Sequence, residues 1–539
     1  MRLGCAALVV ALAAGAGCKG KGKGKDSEKQ AAPKSVDTPE SGEARKGGHI
    51  VLPSNEPQDL NPALATRFDR VTPLIFEGLV GLDTTLKLVP RLAESWEISP
   101  DGKTVTFQLR KDVKWQDGKP FTSKDVAFTF KVIRESKRET VWRAHMESID
   151  TVDTPDDHTA VIRYRKPYGP ALSSWTVGII SAHAYGGDVA TASDEKAPGH
   201  GMGTGPFKFG RWESGQRIVL EANENYWSGR PYVDTIEFLL NKSSSEQLAL
   251  LKDGKLDFAE VTDLNEWGAE VYQPAFRERF EVTTEVESRF RMIAWNGLRE
   301  QFEDPRVRVA LTHALDRARV IEDLLIGDAQ PLSAPFFPTM YGADPRISPY
   351  PLDLSTAVTM LDEANYEPKA GGTRFEIELI VRKSQRTDME DQMLAIFRRD
   401  LDSIGVKLNV VYLPTREFFG RIVLREFDAA LLGWLPSLPD PDPYELLHSS
   451  QINIGPNYAG YSNTEVDRLL DEARSTTDRS ARKALYHDVH RLVHQEEPYT
   501  LLYAGNGHYA WNRRIKGVNP RDIGSQPRFP GVARWWVDN

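Results

Sequence analysis

From about residue 47 onward two hydrophobic periods take turns along the chain: the twofold alternation of a half-buried strand and the 3.6-residue stripe of an amphipathic helix. Val105, Phe107 and Leu109 alternate with polar residues, and the same twofold spacing of apolar side chains recurs at Phe375, Ile377, Leu379 and Val381 and at Leu408, Val410 and Tyr412. Further strand signals fall at 48–53, 218–221 and 236–240. Between them lie helical stretches. Thr122 and Asp125 form a capping-box pair ahead of Val126, Ala127, Phe128 and Val132, and helical patterns follow at 247–251 and 389–401. Near the C-terminus Ser462 and Glu465 are placed to cap a helix burying Val466, Leu469, Leu470 and Ala473, and a second helix turns Leu485, Val489 and Leu492 inward. Strands separated by helices through both halves predict an α/β chain of stacked layers, divided between two lobes. No internal repeat relates the halves.

The first residues belong to a different regime. Met1 and Arg2 precede an uncharged run, 3–17, which the charge of Lys19 cuts short of the roughly 20 residues a membrane span requires. A short basic start and an apolar run read as a secretory signal over 1–17. The run ends in Gly15-Ala16-Gly17-Cys18, which resembles a bacterial lipobox with Gly15 where Leu is usual, and Cys18 is the expected lipidation site. Residues 18–46 are Lys, Gly, Glu, Ser and Pro with almost no large apolar side chain, a composition that cannot offset its ordering entropy and reads as a flexible tether. Its lysines could rest on anionic headgroups. Beyond Cys18 there is no cysteine, so the folded part can form no internal disulfide and no thiolate zinc site. Its stability must come from burial, which a chain of this length can supply. A net charge of -9 offers no basic surface for nucleic acid.

Catalytic signatures are missing. There is no Gly-x-Ser-x-Gly elbow, no His-Glu-x-x-His and no phosphate-binding Walker loop. His487, His490 and His494 fall within an arc of about 60° on one helix, a spacing that suits a divalent metal, but no motif supplies a further ligand. They are read as a polar, solvated face, and no metal or other cofactor is expected. Twelve tryptophans are many, and most should be core residues. Trp434, and after it Trp295, are the two expected to face a pocket.

Several segments, in order, resemble the large solute-binding proteins of peptide, nickel and related importers, the family 5 extracellular solute-binding proteins. The strongest runs from Pro90-Arg91-Leu92-Ala93-Glu94-Ser95-Trp96 through Ser99-Pro100-Asp101-Gly102-Lys103 to Trp115-Gln116-Asp117-Gly118-Lys119-Pro120-Phe121-Thr122, that is, two strands with Asp-Gly turns and a capped helix. Gly203-Thr204-Gly205-Pro206-Phe207, Asn225-Tyr226-Trp227, Leu251-Lys252-Asp253-Gly254, Asp304-Pro305-Arg306-Val307-Arg308 and Phe427-Asp428 to Asp440-Pro441 continue it to about residue 515. The resemblance implies a two-lobed periplasmic-binding-protein-like fold with an extra subdomain in lobe one. Lobe one would take 47–288, its subdomain about 84–200, lobe two 289–505, and 506–539 would return to lobe one. It also implies a receptor that catalyses nothing and closes on one peptide or other small solute. That receptor would act as a monomer at the membrane, in the periplasm or at the cell surface, and pass its solute to the permease subunits of an ATP-driven (ABC) importer. A tethered ligand sensor is the alternative use of the same fold, and a secreted hydrolase the remote one.

For the pocket, the resemblance points to Trp434, Ser437, Asp440, Asp442, Trp295, Asn296, Arg382 and Arg386. In peptide-binding members an aspartate three residues after the Gly-Trp pair meets the peptide's α-amino group; here Ser437 holds that position. Asp440 or Asp442 could substitute for it. The family's peptide-carboxylate arginine lies before the helix beginning near Met389, which leaves Arg382 and Arg386 as candidates.

If Cys18 carries the lipid, Cys18→Ser releases the protein from the membrane fraction into the soluble one. Unchanged detergent partitioning of the variant would refute lipidation.

Overall fold

A computed structural model describes residues 44–83, 87–197, 199–337, 340–434, 440–453, 455–520 and 531–538. The signal run, Cys18, nearly all of the tether and Ser437 lie outside the described residues.

The first lobe is built on a sheet of four strands in the order His49–Ser54, Thr235–Leu240, Arg217–Ala222, Phe207–Glu213, the first pair parallel and the rest antiparallel. Between its strands in sequence sits an antiparallel sheet, Ala93–Ile98, Thr104–Leu109, Thr159–Tyr164 and Ile149–Asp156, packed under the helix Ser123–Glu135. Both Asp-Gly turns are real: Gly102 and Gly118 take φ of 68° and 89°, where glycine carries no steric penalty. The capping box forms as read. Asp125 accepts from the Thr122 N–H at 2.9 Å and also from the Trp115 indole at 3.2 Å and the Ala182 N–H at 2.8 Å, so one carboxylate starts the helix and ties it to two neighbouring segments.

Another buried carboxylate explains two of the sequence motifs. Glu77 accepts from the Tyr226 hydroxyl at 2.7 Å, the Trp227 indole at 2.8 Å and Thr204 Oγ1 at 3.4 Å. Burial pushes its carboxyl up, and these donors oppose that push. Gly203 and Gly205 are required by close approach: a Cβ on Gly203 would stand 1.8 Å from the Ile75 carbonyl oxygen and one on Gly205 2.5 Å from that of Leu74.

The second lobe belongs to a larger sheet, in the order Phe258–Val261, Tyr499–Asn512, Phe280–Trp295, Ala429–Trp434, Phe375–Arg382, Val406–Leu413, with Ala329–Gln330 added against Tyr499–Asn512. Phe375–Arg382 is parallel to both of its neighbours. Two strands are unusually long, Phe280–Trp295 with 16 residues and Tyr499–Asn512 with 14, and they run antiparallel through both lobes. Their pairing shifts register twice: at the wider break Val286 faces Asn506 and Phe290 faces Ala504, so 287–289 stand against residue 505 alone, and just beyond it Arg291 faces Tyr503 while Met292 faces Leu501. On one side of the break Phe280 and Ala510 join a core with Leu248, Leu251, Leu256 and Val261. On the other, Phe290, Met292, Leu501 and Ala504 join a core with Tyr486, Val489 and Val493, and Ile293 and Leu502 a further one with Phe397 and Leu401.

One cap differs from the reading of the sequence. Asn463 caps the helix Thr464–Ser475, accepting from the N–H groups of Glu465 and Val466 at 2.9 and 3.1 Å, where Ser462 was expected. Asn and Ser cap about equally well, and the helix simply begins one residue later.

Gly203→Ala forces a methyl group against a main-chain carbonyl that has no free direction to move. It should cost about 2 kcal/mol or more in a denaturant titration; a loss below about 0.5 kcal/mol would contradict the close approach.

Candidate functional site

In open sheets with parallel strands, ligands meet the protein outside the carboxyl ends of those strands. Here these ends carry Arg382, the last residue of its strand, and Trp434, the last of the neighbouring one. Phe290 pairs with Trp434 and Arg291 with Gly433, so the same sheet end lies beside the wider register break of the long pair.

The chemistry there is cationic. Arg291 is ion-paired with Glu390 from the first turn of the helix Asp388–Ser403, and its side chain and that of Glu390 are 17 % and 4 % exposed. Arg382 has no such carboxylate among the described residues. Its Nε is buried and, among the described residues, accepted by no oxygen, and its guanidinium lies 5.7 Å from the ring centre of Phe419, a half-exposed residue. Burial holds the Arg382 guanidinium below its ordinary range, the nearby Arg291 pushes the same way, and Glu390 opposes both. The second oxygen of Glu390 is buried without a hydrogen bond, and burial pushes that carboxyl up against the pull of Arg291. Glu390 is paired with Arg291 and acts on Arg382 only through its charge.

The aspartates after Trp434 are already occupied. Asp440 is buried and ion-paired with Arg482, with the hydroxyls of Tyr341 and Tyr486 at 3.4 and 3.5 Å. Burial pushes its carboxyl up, and the Arg482 guanidinium is the largest influence holding it ionised. Asp442 accepts from Arg474 Nε at 2.7 Å, with only 7 % of its side chain exposed. Neither stands ready to receive an ammonium, because a carboxylate that gave up its buried arginine would leave that charge unpaired.

Three other candidates are structural. Trp295 is 1 % exposed and belongs to the core: its indole N–H donates to Thr500 Oγ1 at 2.8 Å and its ring packs on Phe302 at 5.4 Å. Asn296 is fully buried and spends its side-chain amide on the carbonyls of Phe427 at 2.7 Å and Arg425 at 3.1 Å, fastening the end of one long strand to the turn before Ala429–Trp434. Arg386 is exposed and forked onto Asp391 at 2.9 and 3.1 Å, lying over the Tyr412 ring at 4.6 Å. The sequence distinguishes Arg382 from Arg386 only through the strand's end: Arg382 closes it, and Arg386 follows a 3-10 turn that carries it away.

Arg291 and Glu390 were not singled out from the sequence. Arg291 had a signal, a cation between Phe290 and Met292 in an otherwise apolar run. Glu390 had none, since Asp388 and Asp391 beside it look the same in sequence and turn outward.

The histidine face also turns inward. His490 is 2 % exposed, with Nδ1 accepting from the Asp344 N–H at 2.9 Å and Nε2 meeting Ser333 Oγ at 2.9 Å. His494 stacks on Tyr350 at 4.1 Å, and His487 lies 3.7 Å from Asp344. Ser333, Asp344 and Tyr350 cover the face expected to be solvated. Their polar groups were invisible to a reading of the helix by itself.

Comparison with known proteins places the family and the fold. Residues 87–454 match the profile of the bacterial extracellular solute-binding proteins, family 5. The oligopeptide-binding protein AppA of Bacillus subtilis is 28 % identical over 95 % of this chain and 94 % of its own. Its crystal structure with a nonapeptide superposes with a TM-score of 0.76 over 92 % of this chain and 100 % of that one, at 27 % identity. A putative ABC transporter peptide-binding protein of Brucella ovis is 30 % identical over 85 % of this chain and 87 % of its own. NikZ of Campylobacter jejuni, solved with a nickel–histidine complex, has a TM-score of 0.78 and 26 % identity over 90 % of this chain and 99 % of that one.

His490 yields a pH prediction. Burial, with His494 next, lowers its pKa from 6.5 to about 4, so between those values the unfolded chain binds a proton that the folded chain refuses. Its contribution is whole above the unfolded value and is lost as pH falls toward the folded one. The melting temperature should therefore drop across that window, and His490→Gln, which can keep both hydrogen bonds, should flatten the drop; an identical pH slope in the variant would contradict it.

Proposed function

Because the chain belongs to the family 5 bacterial extracellular solute-binding proteins, we propose that it captures a peptide-sized solute carrying a carboxylate, with Arg382 as the anchor. The class is not in question. It is a non-enzymatic receptor that serves an ABC importer, and the proteins of its family are extracellular or periplasmic. Among the described residues no helix is long and apolar enough to cross a membrane. In the reading offered here Cys18 carries the lipid that holds the receptor at the membrane, 18–46 is its tether, and the chain works as a monomer.

The observation that carries the ligand assignment is the imbalance at the sheet end, where Arg382 has a buried nitrogen without a partner among the described residues while Asp440 and Asp442 are held by the chain's own arginines. A buried guanidinium short of an acceptor favours a ligand that brings one, and a planar fork suits a carboxylate. Trp434 would border the solute, and Ser437, with a neutral hydroxyl, would offer a free ammonium little. The peptide seen in AppA and the nickel–histidine complex seen in NikZ both contain carboxylates, which is compatible with this anchor. The solute lies between the lobes, which close by bending about 287–289 and 505, where the paired strands lose register.

Calorimetric titration of a peptide library in free-acid, amidated, free-amine and N-acetylated forms tests the assignment. A charge-assisted hydrogen bond is worth roughly 1.5–3 kcal/mol, so Arg382→Gln or amidation should each weaken binding about ten- to a hundredfold, while N-acetylation should change it less than about tenfold. A strong preference for the free amine, unmoved by Arg382→Gln, would overturn the assignment.

A further inference from the structure

The lobes also touch where no strand passes between them. After the lobe-one strand Thr159–Tyr164 the chain turns through 165–170, and this loop rests on the connector between the helices Thr464–Ser475 and Arg479–Glu496 of lobe two. The Gly169 N–H donates to the Arg474 carbonyl, and the Gly169 carbonyl accepts from Arg482 Nη1 at 3.4 Å. The fit is tight: a Cβ on Gly169 would stand 2.8 Å from the Thr476 carbonyl oxygen, 2.9 Å from Arg482 Nε and 3.0 Å from the Ala473 carbonyl oxygen. The Asp-Gly turn joins the same contact, since a Cβ on Gly102 would lie 3.1 Å from Pro167 and 3.3 Å from Thr477.

The lobe-two side of this contact is built from its own residues. Arg474 is fixed by Asp442 at 2.7 Å and by the face of Tyr444 at 3.5 Å. Arg482 is fixed by Asp440 and by the Tyr486 hydroxyl at 3.2 Å. All of these partners lie in lobe two. Lobe one contributes main chain at Gly169, which loses no side-chain freedom on docking. A preformed socket and a rigid insert lower the cost of association.

We infer that this contact is a closure clasp, in which Arg474 and Arg482, held by Asp442 and Asp440, are positioning residues that keep the connector shaped to receive Gly169. The inference rests on the reading that the lobes move. Gly169 does not need positive φ, so its identity is set by the closeness of lobe two rather than by its own backbone. An alanine there is compatible with the open form and opposed only in the closed one, where the atoms it meets include two main-chain carbonyls.

Double electron–electron resonance tests this on the full chain with Cys5→Ser and Cys18→Ser, spin labels being attached through Lys131→Cys in lobe one and Lys483→Cys in lobe two, both at exposed helical sites. Gly169→Ala should lower the ratio of the short-distance to the long-distance population at least fivefold, with a thermal melt showing that the variant is folded. Gly169→Ser, which carries the same Cβ, should repeat the shift and guards against a loss peculiar to one variant. Two populations whose ratio the variants leave unchanged would overturn the clasp and leave the moving lobes standing. One and the same distance in parent and variants would overturn the moving lobes, and the clasp with them.

Discussion

Everything in this molecule hangs on two antiparallel strands, Phe280–Trp295 and Tyr499–Asn512, that are core elements of both lobes at once. A connection made of paired main chain resists sliding and twisting far better than a loop would, yet its ladder loses register at two places, the wider of them where 287–289 face residue 505. Bending concentrated there leaves the cores on either side intact. The same strands set the position of the ligand-facing end, because Phe290 and Arg291 carry the register directly onto Trp434 and Gly433. A solute between the lobes would thus meet the carboxyl ends of parallel strands and the break in the long pair together.

Charge at that end runs against the charge of the chain. The protein holds 77 acidic and 68 basic side chains, and its overall field would repel an anion. Locally the sign is reversed by spending carboxylates elsewhere. Asp440 and Asp442, the first acids after Trp434 in sequence, are tied to Arg482 and Arg474, and Glu390 is paired with Arg291. Short-range placement outweighs net charge here because buried pairs are little screened by salt while distant surface charges are.

Much of the fold was legible because the relevant signals are local. The capping box at Thr122 and Asp125, the Asp-Gly turns and the alternation in Phe375–Arg382 depend on a few adjacent residues, and all appear where the sequence places them. The site was legible only in outline. Whether Trp295 meets solute or core depends on Thr500 and Phe302, far along the chain or on another element. The inward turn of the three histidines depends on Ser333, Asp344 and Tyr350, and the fate of Asp440 and Asp442 on arginines in two later helices. Composition and periodicity report which face of an element is apolar. They do not report which polar groups another element will bring to it.

The central claim is that the solute of this receptor is recognised through a carboxylate at Arg382. Native mass spectrometry of the protein freshly isolated from its own cells, with fragmentation of whatever is released, addresses it most directly. The account predicts one non-covalent ligand per chain, bearing at least one free carboxylate, and loss of that adduct in Arg382→Gln. A tightly held ligand with no acidic group, or one retained undiminished by Arg382→Gln, would contradict it.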